Sequence, residues 1–257
     1  MTCLALWWCL AASAPAAPPS PADIADIDVD ALLSQAVAAA GLHEPQGMEI
    51  RFSFRGTPYR LWLDGRRSVY TRQVRDGHTV RTDRLEGDAF TATVHGAPIP
   101  LSPDKEGALR RSLNSVAYFA LLPRPLQDDA VIATSLGVTT LGGKPWHTVD
   151  VRFREQGGGD DHDDVFRYWI DPATHRLGYL AYTFATGEGG VRVRRAVGAH
   201  EIDGVVLLDW VNHGRNGQGL TIDDAVRDLE AGVLPELSTI ALDEVRVARG
   251  QGMPTVE

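Results

Sequence analysis

Between residues 155 and 164 the chain carries Glu155, Asp160, Asp161, Asp163 and Asp164 around His162 and three consecutive glycines, Gly157, Gly158 and Gly159. Clustered hard oxygen donors are what a calcium site uses. The order is not that of an EF-hand, which needs D-x-D-x-D-G and a bidentate glutamate closing the loop. His162 has no second histidine at ligand spacing. No metal is therefore expected; if one binds here, Glu155, Asp160, Asp161 and Asp163 are the ligands. The glycines cannot cradle a phosphate, because the acids that follow them would repel it. Acids packed this densely are settled by water or by arginine.

The arginines that can answer them are Arg192, Arg194 and Arg195, just after Gly189-Gly190. Strand alternation puts Arg192 and Arg194 on one face. A guanidinium takes a carboxylate bidentately, so these two either meet the acids of the loop or grip the anionic group of a ligand. Other chemistry is sparse. There is no G-x-S-x-G elbow, and the only cysteines are Cys3 and Cys9. Asn114-Ser115 falls on a helix expected to be buried, where polar side chains satisfy backbone rather than attack a substrate. The eight histidines are scattered without ligand spacing. No enzyme and no cofactor are expected.

The elements that position these residues follow from periodicity. Residues 27–40 place Leu32, Leu33, Ala36, Val37 and Ala40 at helical spacing, with Asp28 or Asp30 as cap and Gly41 as stop. From Met48 the period becomes two, and turns at Gly56-Thr57-Pro58, Asp64-Gly65, Asp76-Gly77 and Gly87-Asp88 describe an antiparallel meander. Ser102-Pro103-Asp104 starts a second helix that runs to Leu122, apolar nearly all round in its second half. Strands resume at 138–141 and 146–153, then at 165–170, 177–185, 191–202 and 205–211. A short helix at 222–231 and a final strand at 238–247 follow. With no helices alternating between strands, a parallel nucleotide-binding sheet is disfavoured.

Composition bounds the partners. The 257-residue chain is 44% hydrophobic and 23% charged, which is a folded protein with a sizeable core. A net charge of −9 argues against nucleic acid or an anionic membrane surface as the main partner. Residues 1–16 read as an export signal: a short apolar run over 4–12, then Ala14-Pro15-Ala16 with cleavage after Ala16. The run is too short to span a bilayer. Residues 17–26 are a flexible leader and 27–257 are expected to form one domain. The expected location is the periplasm, as a monomer. Both cysteines leave with the signal.

Several stretches resemble the DUF6503 group of exported bacterial proteins. They are Leu113-Asn114-Ser115-Val116-Ala117-Tyr118-Phe119-Ala120-Leu121-Leu122-Pro123, Glu155 to Asp160 with Asp164-Val165-Phe166-Arg167-Tyr168-Trp169-Ile170, Tyr179-Leu180-Ala181-Tyr182, and Gly189 to Ala196. This resemblance spans roughly 27–213. More loosely, Tyr168-Trp169-Ile170-Asp171, a turn into 177, and Glu201-Ile202-Asp203-Gly204-Val205 are similar to the LolA/LolB-like lipoprotein carriers. The second resemblance implies a mainly β (α+β) fold, a strongly curved antiparallel sheet or half-open β-barrel with helices in or across its concave face.

The aromatic strand positions then have two readings. In a flat sandwich they are core. In a half-open barrel Phe52, Phe54, Leu63, Tyr70, Phe119, Trp169 and Tyr182 line a cavity for a lipid acyl chain or another amphiphile, and Arg192 and Arg194 hold its head group. The leading expectation is thus an exported, non-catalytic binder of a hydrophobic or amphiphilic ligand. The alternative is an interaction module whose acidic loop at 155–164 takes Ca2+ or a basic partner.

Overall fold

The computed structural model describes residues 27–154 and 164–255. The expected signal and leader, the 155–163 part of the acidic loop and its ligand candidates Glu155, Asp160, Asp161 and Asp163 lie outside the described residues.

Helix α1 (Val29–Ala39) begins at Asp28, whose carboxylate accepts from the N–H groups of Asp30 and Ala31, each at 3.1 Å. It ends at Gly41 with φ +68°, where a Cβ would sit 1.8 Å from the Gly204 carbonyl oxygen. Both the left-handed backbone and the close approach require glycine there. A meander follows: β1 (Met48–Phe54), β2 (Thr57–Asp64), β3 (Arg67–Asp76), β4 (Thr79–Glu86), β5 (Ala89–Val94) and the two-residue β6 (Ala97–Pro98). Helix α2 (Pro103–Ala120) is capped by Ser102, with Pro103 in its first turn and Asp104 and Glu106 beside the N-terminal dipole.

The rest of the chain is β7 (Val131–Leu141), β8 (Lys144–Phe153), β9 (Phe166–Ile170), β10 (Leu177–Phe184), β11 (Gly190–Ile202), β12 (Val205–Asn216), α3 (Ile222–Glu230), β13 (Glu236–Ile240) and β14 (Asp243–Ala248). The fold is mainly β and antiparallel, with helices packed against sheet, as expected. Its strands form two seven-stranded sheets, in the orders β14-β1-β2-β3-β4-β5-β6 and β13-β12-β11-β10-β9-β8-β7. Neither sheet closes into a barrel.

Several elements differ from the sequence reading, two of them in how the sheets are built. The final strand is two strands, β13 in the second sheet and β14 in the first. The break falls at Leu242, which is buried in the first core while its N–H donates to Asp209 Oδ1 at 2.9 Å. Strand β7 begins at Val131, seven residues ahead of the expected Val138, because 131–135 pair fully with β8.

The interior is organised as three clusters. The first lies between the first sheet (Met48, Ile50, Phe52, Leu61, Leu63) and α2 (Leu109, Leu113, Ala117, Ala120), and takes in Val37 of α1 and Val205 and Leu207 of β12. The second joins the inner face of β8–β10 to Leu32, Leu33 and Ala36 of α1, with Tyr118 and Phe119 of α2 packed against it. The third covers the opposite face of the second sheet with α3. The apolar residues in the second half of α2 divide between two cores, Leu113, Ala117 and Ala120 facing the first and Tyr118 and Phe119 the second. Asn114 and Ser115 correct one expectation: they are exposed, on the side that meets neither core.

Polar contacts lock α2 to the first sheet. Asp83 is fully buried and accepts from Arg72 Nε at 2.8 Å and from Arg81 Nε at 2.7 Å. Arg72 reaches on to Ser112 Oγ at 2.8 Å and the Leu109 carbonyl at 3.3 Å. Among the described residues no helix is long and apolar enough to cross a membrane.

Candidate functional site

The expected ligand-binding residues fall in three places. Phe52 and Leu63 are buried in the first core, Phe52 stacked on Tyr59 with centroids 5.3 Å apart, and Phe54 and Tyr70 pack against that core. Trp169 lies in the third cluster, its Nε1 donating to Thr139 Oγ1 at 3.3 Å. Phe119, Tyr182, Arg192 and Arg194 come together on the inner face of the second sheet.

Strand register explains that convergence. Arg192 lies directly opposite Tyr182, and Arg194 opposite Leu180 on one side and Asn212 on the other. Opposed residues share a face, so both arginines point toward α2. The last turn of α2 lays Phe119 over Arg194, whose guanidinium carbon is 3.7 Å from the ring centroid. Arg194 Nη2 donates to the Tyr182 hydroxyl at 3.1 Å. Tyr182 in turn stacks on Phe166 at 5.3 Å, and Phe166 meets Phe153 edge-on at 5.7 Å.

Arg194 is 8% exposed and, among the described residues, has no carboxylate partner. Among the described residues its Nε and the Asn212 Oδ1 are buried without a hydrogen-bond partner. Burial pushes the guanidinium pKa down, partly offset by the Tyr182 hydroxyl. An arginine keeps its charge even so, and rings compensate a buried cation only in part. Arg192 stands nearer the rim. It lies over the Phe184 ring at 4.7 Å and donates to the Val191 and Arg215 carbonyls and to Asn216 Oδ1.

The expected meeting of these arginines with the loop acids concerns residues outside the described ones. Arg167, the other neighbour considered, faces the opposite side of the sheet, where it pairs with Asp150 at 2.6 Å and with Asp223 at 2.5 Å. Among the described residues no group of three or more His, Cys, Asp or Glu is placed to hold a metal ion.

Sequence reasoning did not place Asn212 or Tyr118 at a site, and took Tyr168 only as one of the aromatic strand positions. The two tyrosine hydroxyls lie 2.8 Å apart where α2 meets β9. No signal for Asn212 was available, because the strand was expected to end at 211 and β12 runs on to Asn216.

These features define a two-sheet antiparallel β protein with a buried cationic, aromatic site where a helix end meets the second sheet. The family model matching residues 64–229 is DUF6503, described as a family of unknown function, and the chain belongs to that family. The matched region begins later than the sequence resemblance suggested and extends through most of α3.

Among solved structures, the chain is similar to a DUF1329 family protein from Desulfovibrio piger, at 11% identity and TM-score 0.37, covering 75% of this chain and 95% of that one. It is also similar to a domain assigned to outer-membrane lipoprotein sorting from Vibrio parahaemolyticus, at 13% identity and TM-score 0.40, covering 77% and 97%. At these scores neither likeness bears on function. No curated protein matches the chain.

Proposed function

We propose that this protein is an exported, non-catalytic binder of an anionic amphiphile, held by its head group at Arg194. One observation carries the reading: a guanidinium 8% exposed, with a free Nε and no carboxylate partner among the described residues. Breaking a buried ion pair costs several kcal/mol because it leaves a lone charge, so a buried guanidinium with no carboxylate partner among the described residues is a place suited to a ligand's anion. A carboxylate or phosphate seated beside Arg194 takes up the free Nε and replaces the weaker Phe119 ring as its partner. The partly exposed rings of Phe119, Tyr182, Phe184 and Phe153 offer the apolar part of the ligand a continuous surface. Tyr182, Phe119 and Arg194 offer a cation, a phenol and rings, which bind but do not attack. The export reading rests on residues 1–16 of the sequence.

The test is uptake of a fluorescent fatty acid by the full chain, with native mass spectrometry of the purified protein. One fatty acid per chain is expected, with affinity reduced at least about tenfold in Arg194→Met and for the corresponding fatty alcohol. No uptake, or equal uptake of acid and alcohol, removes the proposal.

A further inference from the structure

The face of the first sheet turned away from α2 is polar, and it holds a groove of about 530 Å³. Along its floor Arg246 of β14 lies directly opposite Arg51 of β1, and Arg51 directly opposite Arg60 of β2. The same lateral row continues through Thr71, Arg84 and Thr91 on β3, β4 and β5. Neighbouring strands are about 5 Å apart, so three guanidiniums stand in adjacent places, an arrangement that like-charge repulsion disfavours.

The chain compensates this row only in part. Glu49, 4% exposed at its side chain, accepts from both Arg51 and Arg60. Arg84 donates to Glu86 at 2.7 Å and to the Pro254 carbonyl at 2.9 Å, which brings the C-terminal tail over as one wall. Arg246 makes no ion pair among the described residues, and Glu244 is the remaining acid on the rim. On a chain of net charge −9, this row holds four arginines, and Arg246 is the one with no ion pair among the described residues.

One step along the strands lies a second row of neutral groups. Gln73 is opposite Thr82, and Thr82 opposite Thr93, whose Oγ1 is buried without a partner among the described residues. Hydroxyls and an amide both donate and accept, whereas guanidiniums only donate. We propose that this groove binds a hydroxyl-rich ligand bearing oxyanions, a sugar acid or sugar phosphate. The arginine row takes the carboxylate or phosphate oxygens, and the threonine–glutamine row takes the hydroxyls. The volume is that of a small-molecule site. A peptide is the poorer fit, because extended peptides dock on a sheet through the free backbone of an edge, and this is a face.

The experiment is calorimetric titration of the full chain with trigalacturonate, glucose 6-phosphate, neutral maltotriose and inorganic phosphate. One of the two charged sugars is expected to bind at least about tenfold more tightly than maltotriose and inorganic phosphate, and which one does so distinguishes the sources. Arg246→Glu, at an exposed position, is expected to weaken that binding at least about tenfold, and Thr82→Val to weaken it to a lesser degree, with fatty-acid uptake unchanged in both. Failure of both charged sugars to bind overturns the proposal. So does equal binding of maltotriose or inorganic phosphate, or binding that both variants leave intact.

Discussion

The hydroxyls of Tyr118 and Tyr168 lie 2.8 Å apart and join the last turn of α2 to the centre of β9. Burial raises the pKa of both phenols well above the usual tyrosine range. Tyr168 is fully buried, so its hydroxyl depends on this one partner. Tyr118→Phe should destabilise the protein by about 1–3 kcal/mol in urea unfolding, and adding Tyr168→Phe should recover part of that loss.

The pH dependence of the same pair has a defined sign. Both groups are neutral when folded, while in the unfolded chain they ionise near an ordinary pKa of about 10. Their contribution to stability is therefore intact below about pH 10 and declines as pH rises above it toward the folded values. Spectroscopic titration should leave two tyrosines protonated until the chain unfolds.

Asp83 holds two arginines at zero exposure. Asp83→Ala leaves Arg72 and Arg81 without their anion beneath α2. The expected cost is about 3–5 kcal/mol, read as a lower urea midpoint. Arg81→Ala should cost less, because Arg72 remains paired with Asp83.

Arg194→Met should behave in the opposite way. It removes a buried charge that no carboxylate compensates among the described residues and leaves an apolar chain of similar length. Stability should be unchanged or higher by about 1–4 kcal/mol. A large loss of stability would mean that the guanidinium is already compensated, and the head-group reading would fail with it.

The helices and most strands were legible in the sequence, because capping residues and turn glycines act locally. Ser102-Pro103 fixes the start of α2 whatever surrounds it. The crossing at Leu242 was not legible, since Asp243 beside it lacks the glycine that accompanies aspartate at Asp64-Gly65 and Asp76-Gly77. Leu242 changes sheets because the first core and Asp209 hold it, and both are distant in sequence. The candidate site was half legible. Alternation put Arg192 and Arg194 on one face, but aromatic content could not separate Phe119, at a core boundary, from Phe52 and Leu63 inside a filled core. The arginine row was invisible, because Arg51, Arg60 and Arg246 are neighbours only through strand register.

Gly178 on β10 has an ordinary backbone, yet a Cβ there would fall 2.2 Å from the Trp146 ring. The indole lies over the bare backbone and donates from Nε1 to the Leu141 carbonyl at 2.9 Å. Gly178→Ala must turn the ring away and break that bond, at a cost of about 1–3 kcal/mol. A red shift of tryptophan emission alongside the loss would report the displaced ring.

Helix α1 gives Val37 to one core and Leu32, Leu33 and Ala36 to the other, and α2 divides its residues in the same way. Neither sheet can lose its covering helix without stripping the other. Melting is therefore a shared event: scanning calorimetry should give a single endotherm whose calorimetric and van't Hoff enthalpies agree. A cavity cut into either core, by Leu33→Ala or Leu113→Ala, should move that one peak to lower temperature without splitting it.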